Sequence, residues 1–230
     1  MASEVEICNL ALSHLGDEAT VASITPPDGS VQAGLCARHY PLARDALLQM
    51  HTWTFATRRI VGAEVSSGTT NWQYAYSLPN DALDVFAVLP PEATNPYSRT
   101  AWDQLAYNDT GLNPWFGAPP PSSPMPVPVD YELETDADGN ILVMTNQPTA
   151  EIRYSVRITD TAKFSPLFVR ALGHLLAADI AGPLLKGDVG AAEAKKQLQL
   201  FQLAFNMAVN KDAKQRQLNV GQRVPWIAGR

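Results

Sequence analysis

Acidic side chains occupy every second position over one short stretch of this sequence. They are Asp130, Glu132, Glu134, Asp136 and Asp138. Because side chains alternate between the two faces of a β-strand, this spacing predicts that all five carboxylates share one face. Two interpretations follow. The stretch is either a solvated edge strand that its charge protects from aggregation, or an anionic wall along which nucleic acid slides without binding.

The same stretch leads into the run Asp136-Ala137-Asp138-Gly139-Asn140, which begins like a calcium-binding loop. Its glycine comes one position too early, however, and Gln147 stands where such a loop has a bidentate glutamate. Asp-Gly-Asn between two strand-like runs is typical of a hairpin turn. We therefore expect a hairpin here and no metal site.

Histidine and cysteine, the other residues that could perform chemistry, form no recognisable constellation. They are His14, His39, His51, His174, Cys8 and Cys36. Cys36 and His39 share a helical face, but two ligands do not complete a zinc site. The two cysteines cannot build a disulfide framework, so we expect buried, reduced thiols. Nucleophile motifs and glycine-rich phosphate loops are also missing from the sequence, which predicts no catalytic residue, no cofactor and no metal.

Charge is divided unevenly along the 230 residues. Residues 1–150 carry 17 acidic and 5 basic side chains, a net charge of −12, whereas residues 151–230 carry 6 and 12, a net charge of +6; the two parts sum to −6. Such polarity favours oriented partner surfaces. The basic residues near the C-terminus are Lys195, Lys196, Lys211, Lys214, Arg216, Arg223 and Arg230. They keep DNA binding open as an alternative, although no stacking aromatics are interleaved with them.

The first six residues are acidic where a secretory signal is basic. No apolar run approaches the roughly 20 residues that span a bilayer. We therefore expect a protein that is soluble and intracellular when it is synthesised and that contacts no membrane.

Two helices are predicted at the N-terminus. Ser3 and Glu6 form a capping box for a helix over residues 4–15. A second helix, capped by Ser30, runs towards His51 with apolar positions at Leu35, Leu42, Ala46, Leu47 and Met50. Pro41 should kink this helix or break it near Tyr40. The loop between the two helices is of ordinary length, which favours an antiparallel pair.

From residue 54 the pattern changes to short aromatic and β-branched runs separated by turns, which predicts strands as far as residue 160. Residues 90–128 interrupt these strands. Six prolines, at positions 119–121, 124, 126 and 128, predict an extended polyproline-like loop over residues 113–128.

Two further helices are predicted after the strands. Ser165 followed by Pro166 predicts the start of one, which ends near Gly182-Pro183 or Gly187. The last begins near Val189, and its expected buried stripe is Ala194, Leu198, Phe201, Phe205 and Ala208.

The order of these elements predicts an α+β fold. Residues 1–53 and 161–218 would form an antiparallel helical core, residues 54–160 an inserted antiparallel β region, and residues 219–230 a C-terminal arm. The arm carries an apolar tip over residues 224–227, and its Trp226 is of the residue type most often found as an interface anchor. An arm folded back on its own subunit is the alternative.

Several runs of core and turn residues follow one another in an order that is typical of a known protein family. They are Asn9–Gly16, Tyr40–Leu48, Trp53–Ala56, Tyr74–Val85, and Ile152–Tyr154 followed by Phe164–Phe168. Together they resemble the head-to-tail adaptor family of tailed bacteriophages, of the tail tubular protein A type. The resemblance covers nearly the whole chain in the order of its elements, except that residues 90–128 depart from the compact members of the family.

The resemblance implies a structural adaptor and not an enzyme. Twelve copies would form a ring in the virion neck, assembled in the host cytoplasm, that joins the portal protein of the capsid to the tail nozzle protein. Genomic DNA would pass through the ring without sequence-specific binding, and we expect the acidic strand of residues 130–138 to line this channel. The arm would reach the portal through Val220, Arg223, Val224, Pro225, Trp226, Ile227 and Arg230. A DNA-binding packaging or regulatory factor that uses the basic C-terminal helix is the alternative.

Overall fold

The computed structural model describes residues 2–67, 71–91, 129–136 and 138–215. Contacts divide these residues into two compact units, a helical unit of residues 2–57 and 155–215 and a β unit within residues 58–154. The predicted α+β class is confirmed, since helices near both ends of the chain flank antiparallel strands. The Pro-rich loop over residues 113–128 and the arm over residues 219–230 lie outside the described residues.

In the described chain, the helical unit contains four α-helices and two 3₁₀ turns. The helices are α1 (Glu4–His14), α2 (Val31–Gln49), α3 (Pro166–Leu185) and α4 (Gly187–Ala213), and the 3₁₀ turns are Thr54–Ala56 and Thr161–Lys163. The predicted capping box of α1 is present: the Ser3 hydroxyl accepts from the Glu6 N–H at 3.1 Å, and the Glu6 carboxylate accepts from the Ser3 N–H at 2.7 Å.

Of the two alternatives predicted for α2, a kink at Pro41 or a break near Tyr40, the break is wrong. The helix continues through Pro41 to Gln49. The proline ring removes the donor that would bond the Ala37 carbonyl, and because Pro41 is exposed, water can supply that hydrogen bond instead.

Aromatic rings form the core of the helical unit. Trp53 is 1% exposed, and its indole N–H donates to the Leu47 carbonyl at 2.8 Å. The Phe168 ring of α3 meets the Trp53 ring edge-on at 5.0 Å, and Phe55 and Phe164 pack around Phe168 at 5.2 and 4.7 Å. These contacts fix the chain after α2 against the start of α3.

Helix α3 is long and apolar enough to cross a membrane by length and composition, contrary to the expectation that no run approaches that limit. However, 61% of its apolar window is buried inside the protein, as expected for a core helix.

The buried stripe of α4 differs from the predicted one. The buried residues are Gly190, Gln197, Phe201, Ala204, Ala208 and Asp212. Leu198, expected in the core, is 45% exposed. Small residues bring α4 close to α3, since a Cβ added at Gly190 would lie 2.9 Å from the Ala181 carbonyl oxygen. The close approach of the two backbones therefore decides how α4 is rotated.

The described strands form two sheets. They are β1 (Thr57–Val61), β2 (Ala63–Ser67), β3 (Tyr74–Ser77), β4 (Ala82–Leu89), β5 (Tyr131–Thr135), β6 (Ile141–Thr145) and β7 (Glu151–Val156). One sheet has the order β1-β7-β4 and the other the order β2-β3-β6-β5. The predicted hairpin is confirmed, because β5 and β6 pair antiparallel from Tyr131–Thr145 to Thr135–Ile141. Gly139 in its turn has φ +85°, which favours glycine.

Candidate functional site

An apolar stripe runs along the exposed side of α4. Leu200, Leu203 and Met207 are 36, 63 and 54% exposed, and their spacing of three and four residues places them side by side. Lys196 and Lys211 lie on the same side, one turn before and one turn after these residues. A contiguous exposed apolar stripe with a polar margin is typical of a protein interface, whereas single exposed apolar residues are ordinary. We call Leu200, Leu203 and Met207 the α4 stripe.

The predicted basic residues of α4 do not form one continuous surface. Lys195 and Lys196 are separated from Lys211 and Lys214 by about 15 residues, which is about 22 Å of helix. The ammonium group of Lys196 also pairs with Glu193 at 3.0 Å. Arg216, Arg223 and Arg230 lie outside the described residues. The described lysines therefore offer two separate positive clusters.

The buried side of α4 carries a polar network that joins it to α1 and α3. The rings of His14 and His174 stack at 4.1 Å with an angle of 13°. The Gln197 side-chain oxygen lies 2.9 Å from Nδ1 of His174. Its amide nitrogen donates to the His14 carbonyl at 2.9 Å and to Glu193 at 2.8 Å. Gln197 of α4 therefore connects the end of α1 with the middle of α3.

His14 has an environment that opposes its charge. Burial, the neighbouring His174 and Arg170 all lower the pKa of His14 below its usual value. Its Nε2 atom is buried and has no hydrogen-bond partner among the residues that the structure describes. The neutral imidazole is therefore the form that suits this site.

A second polar joint lies at the other end of α4. Asp212 is 6% exposed and accepts from the Thr54 N–H at 3.1 and 3.2 Å, one bond to each carboxylate oxygen. His51 Nε2 lies 3.3 Å from the same carboxylate, and the His51 ring meets Trp53 edge-on. This joint fixes the last turn of α4 against the chain that follows α2.

The acidic stretch does not form one continuous face of a strand. β5 includes only Glu132 and Glu134, while Asp130 precedes it and Asp136 and Asp138 belong to the turn. Both faces of this edge strand are exposed, since Leu133 between the two glutamates is 43% exposed. Glu132 accepts from the indole N–H of Trp72 at 2.9 Å.

Asp136 has a structural role in the turn. Its carboxylate accepts from the N–H groups of Asp138 and Asn140 at 2.9 and 2.8 Å and from the Asn140 side chain at 3.0 Å. These bonds, the one from the Asn140 side chain first, lower the pKa of Asp136. The carboxylate is therefore used in closing the turn. In the described part of the chain, no group of three His, Cys, Asp or Glu side chains could hold a metal ion.

Sequence patterns did not single out Gln197 and Asp212. The sequence does contain a pattern that includes both residues. It is a second stripe with a spacing of three or four residues, at positions 190, 194, 197, 201, 204, 208 and 212. A polar side chain in that second stripe must find a partner once it is buried, which is how both residues come to connect helices. The predicted arm residues between Val220 and Arg230 lie outside the described chain.

Neither a protein-family model nor a curated protein matches this chain.

Proposed function

We propose that this chain is a structural, non-enzymatic subunit of a ring that joins the portal of a phage capsid to the tail nozzle. The main observation behind this proposal is the α4 stripe. Three apolar side chains that are 36 to 63% exposed on one helix are covered by a neighbouring subunit in such a ring.

Two further exposed apolar side chains in the same unit offer a second contact point for a ring of identical copies. Val31 and Leu42 of α2 are 72 and 69% exposed and lie eleven residues apart, about three turns along the same helical side. When one surface of a subunit contacts a different surface of the next copy, the copies form a ring if the rotation between neighbours closes, and an open filament if it does not. We propose the α4 stripe and the exposed side of α2, which also carries the exposed Arg38, as these two surfaces.

The nozzle, the portal and the passage of DNA enter this proposal from the resemblance to phage adaptors. The exposed Glu132 and Glu134 of β5 are compatible with a channel wall that does not retain phosphates. The same exposure fits an edge strand that charge protects from pairing with other strands. The position of β5 in the assembled ring distinguishes these two roles, since only the channel wall requires β5 to face the lumen.

Negative-stain electron microscopy of the purified chain tests the proposal, with the chain alone and mixed with the portal protein encoded beside it at moderate salt. Rings on the portal are the expected result. The absence of any complex, together with salt-sensitive retention of the chain on duplex DNA, would contradict the adaptor and favour the DNA-binding alternative. Labelled antibodies against the turn of residues 136–140 would then locate β5 inside or outside the ring.

A further inference from the structure

Two histidines face each other where the end of α1 meets α3. The His14 and His174 rings stack with their centres 4.1 Å apart and an angle of 13°, and we call them the histidine pair. The helices are close at this point, since a Cβ added at Gly173 would lie 3.1 Å from the Leu10 side chain and 3.8 Å from Cδ2 of His14. The His14 ring therefore has little room to turn away from α3 unless α1 itself moves.

Gln197 of α4 fixes the hydrogen-bonding state of this pair. Its amide nitrogen donates to two acceptors, the His14 carbonyl at 2.9 Å and the Glu193 carboxylate at 2.8 Å. The Gln197 side-chain oxygen must therefore accept, so the atom 2.9 Å away from it, Nδ1 of His174, carries a proton. In the neutral His174 ring, Nε2 is then the acceptor. One buried glutamine thus orients both histidines from a third helix.

The carboxylates next to the histidine pair have other partners. Glu193 accepts from two groups of its own helix, the Gln197 amide at 2.8 Å and the Lys196 ammonium group at 3.0 Å. Asp17, which follows α1, accepts from the Gln32 side chain of α2 at 3.2 Å. Both carboxylates are thus engaged by donors outside the pair, and a positive charge on either histidine ring gains no ion pair from them.

The remaining neighbours of His14 oppose a charge on its ring. His174 stacks on it, and Arg170, one turn before His174 on α3, is positive. Burial and these two residues lower the pKa of His14. Its Nε2 atom is buried and has no hydrogen-bond partner among the described residues, so a proton added there would find no acceptor. The closed arrangement of α1, α3 and α4 therefore suits a neutral His14 ring.

We propose that the histidine pair is an acid-sensitive switch, which releases α1 from α3 and α4 when His14 takes up a proton. Helix α1 is the element that moves, because it has only 11 residues and lies at the start of the described chain. Asn9 forms two hydrogen bonds with the backbone of Val21, at 3.1 and 2.7 Å, so the chain up to Val21 should move with the helix. The aromatic core around Trp53 lies outside α1 and should stay folded.

Proton uptake sets the direction and the steepness of this response. Above about pH 6.5, the usual pKa of histidine, His14 is neutral in the open and the closed form, so this group does not change the opening equilibrium. Below that pH the open form binds a proton that the closed form does not, and the open fraction should rise by up to about tenfold for each pH unit. Opening exposes the inner side of α1, where Ile7, Cys8 and Leu12 are 0 to 1% exposed in the closed form.

Cys8 can report the opening, because its thiol is free and buried in the closed form. The purified full chain is incubated with N-ethylmaleimide between pH 5 and pH 7.5, and mass spectrometry after digestion gives the labelling rate of Cys8 relative to that of glutathione at the same pH. We expect this relative rate to rise by about fivefold or more from pH 7.5 to pH 5.5, with an unchanged near-ultraviolet circular dichroism spectrum. A constant relative rate would overturn the proposal, as would labelling that rises only when the near-ultraviolet signal is lost.

His14→Gln removes the titrating ring and keeps a neutral polar side chain, so labelling of Cys8 in this variant should lose most of its acid response. His39→Gln is the matched control, because His39 lies on α2 outside the histidine pair, and it should respond like the wild type. Equal acid responses of His14→Gln and the wild type would overturn the proposal. Should His14→Gln fail to fold, the wild-type profile still decides the question. No assembly partner enters this experiment, so its failure and the failure of the adaptor proposal are distinguishable.

Discussion

Gly62 is a single residue on which the packing of the β unit depends. A Cβ added at this position would lie 2.8 Å from three atoms of the Tyr76 side chain. Tyr76 cannot move away easily, since it is 2% exposed and its hydroxyl donates to the Gln147 carbonyl at 2.9 Å. We expect Gly62→Ala to lower the free energy of unfolding by about 1–3 kcal/mol, measured by urea denaturation.

A double-mutant cycle isolates this contact. In the Tyr76→Ala background two of the three close atoms, Cγ and Cδ1, are absent and only the Cβ contact remains, so Gly62→Ala should cost less stability than in the wild type. Equal costs in the two backgrounds would show that the contact with the Tyr76 ring is not the cause.

Asp45 pairs with two arginines of different burial. Its carboxylate accepts from Nε of Arg44, a residue that is 7% exposed, at 2.8 Å, and it lies 2.9 Å from Nε of Arg157, whose side chain is 47% exposed. Asp45→Asn leaves the buried Arg44 guanidinium without its counter-charge. We expect a loss of about 1–3 kcal/mol in chemical denaturation. Arg157→Gln removes only the exposed pair and should cost less than about 1 kcal/mol; a reversed ranking would contradict the assignment.

His14 links stability to pH. Its pKa is lower in the folded protein than in the unfolded chain, where it is about 6.5. Below about pH 6.5 the unfolded chain therefore binds more protons than the folded protein. The free energy of unfolding decreases as the pH falls from about 6.5 towards the lower pKa of the folded protein, and the contribution of His14 is constant above about pH 6.5. We expect a lower unfolding temperature at pH 5 than at pH 7.5. The decrease should be smaller in His14→Gln, and an unchanged pH profile in that variant would refute the role of His14.

Among the elements, α4 presents two stripes with opposite roles. Its buried stripe is fixed by the approach to α3 at Gly190 and by the partners of Gln197 and Asp212. Among the described residues, no other element covers its exposed stripe. A charge placed in the exposed stripe should therefore leave the fold intact and act on association.

We expect Leu203→Glu to weaken self-association and docking on the portal at least tenfold, because it places a carboxylate in the centre of the α4 stripe. The circular dichroism spectrum and unfolding temperature should stay as in the wild type, since Leu203 is 63% exposed. Gln202→Glu introduces the same charge at the adjacent exposed position outside the stripe and should associate normally. Mass photometry measures the oligomers, and equal effects of the two substitutions would point to net charge as the cause.

At the scale of the whole molecule, we expect the C-terminal arm to be needed for docking on the portal and not for folding of the subunit. The helical unit buries its core within residues 2–57 and 155–215. We therefore expect deletion of residues 219–230 to leave a folded subunit with an unchanged circular dichroism spectrum, yet to abolish docking on the portal, as measured by co-sedimentation. A truncated chain that still binds the portal would contradict the role of the arm.

Several features could be predicted from the sequence because their causes are local. The capping box of α1 involves Ser3 and Glu6, the start of α3 needs only Ser165 and Pro166, and the β5–β6 hairpin follows from Asp-Gly-Asn. Each of these structures is formed by a few consecutive residues, so the sequence motif that predicts it lies in the same short segment. The order of such segments then determined the α+β class.

Other features were decided only by the tertiary structure. Pro41 stays inside α2 because its side of the helix is exposed, and α4 is rotated by small residues that approach α3. Gln197 becomes a joint of three helices, and Asp136 closes a turn instead of continuing an acidic face. The sequence pattern allowed two stripes on α4 and a long acidic strand. Contacts between residues far apart in the chain selected one arrangement, because burial and hydrogen-bond satisfaction depend on the neighbours that folding brings together.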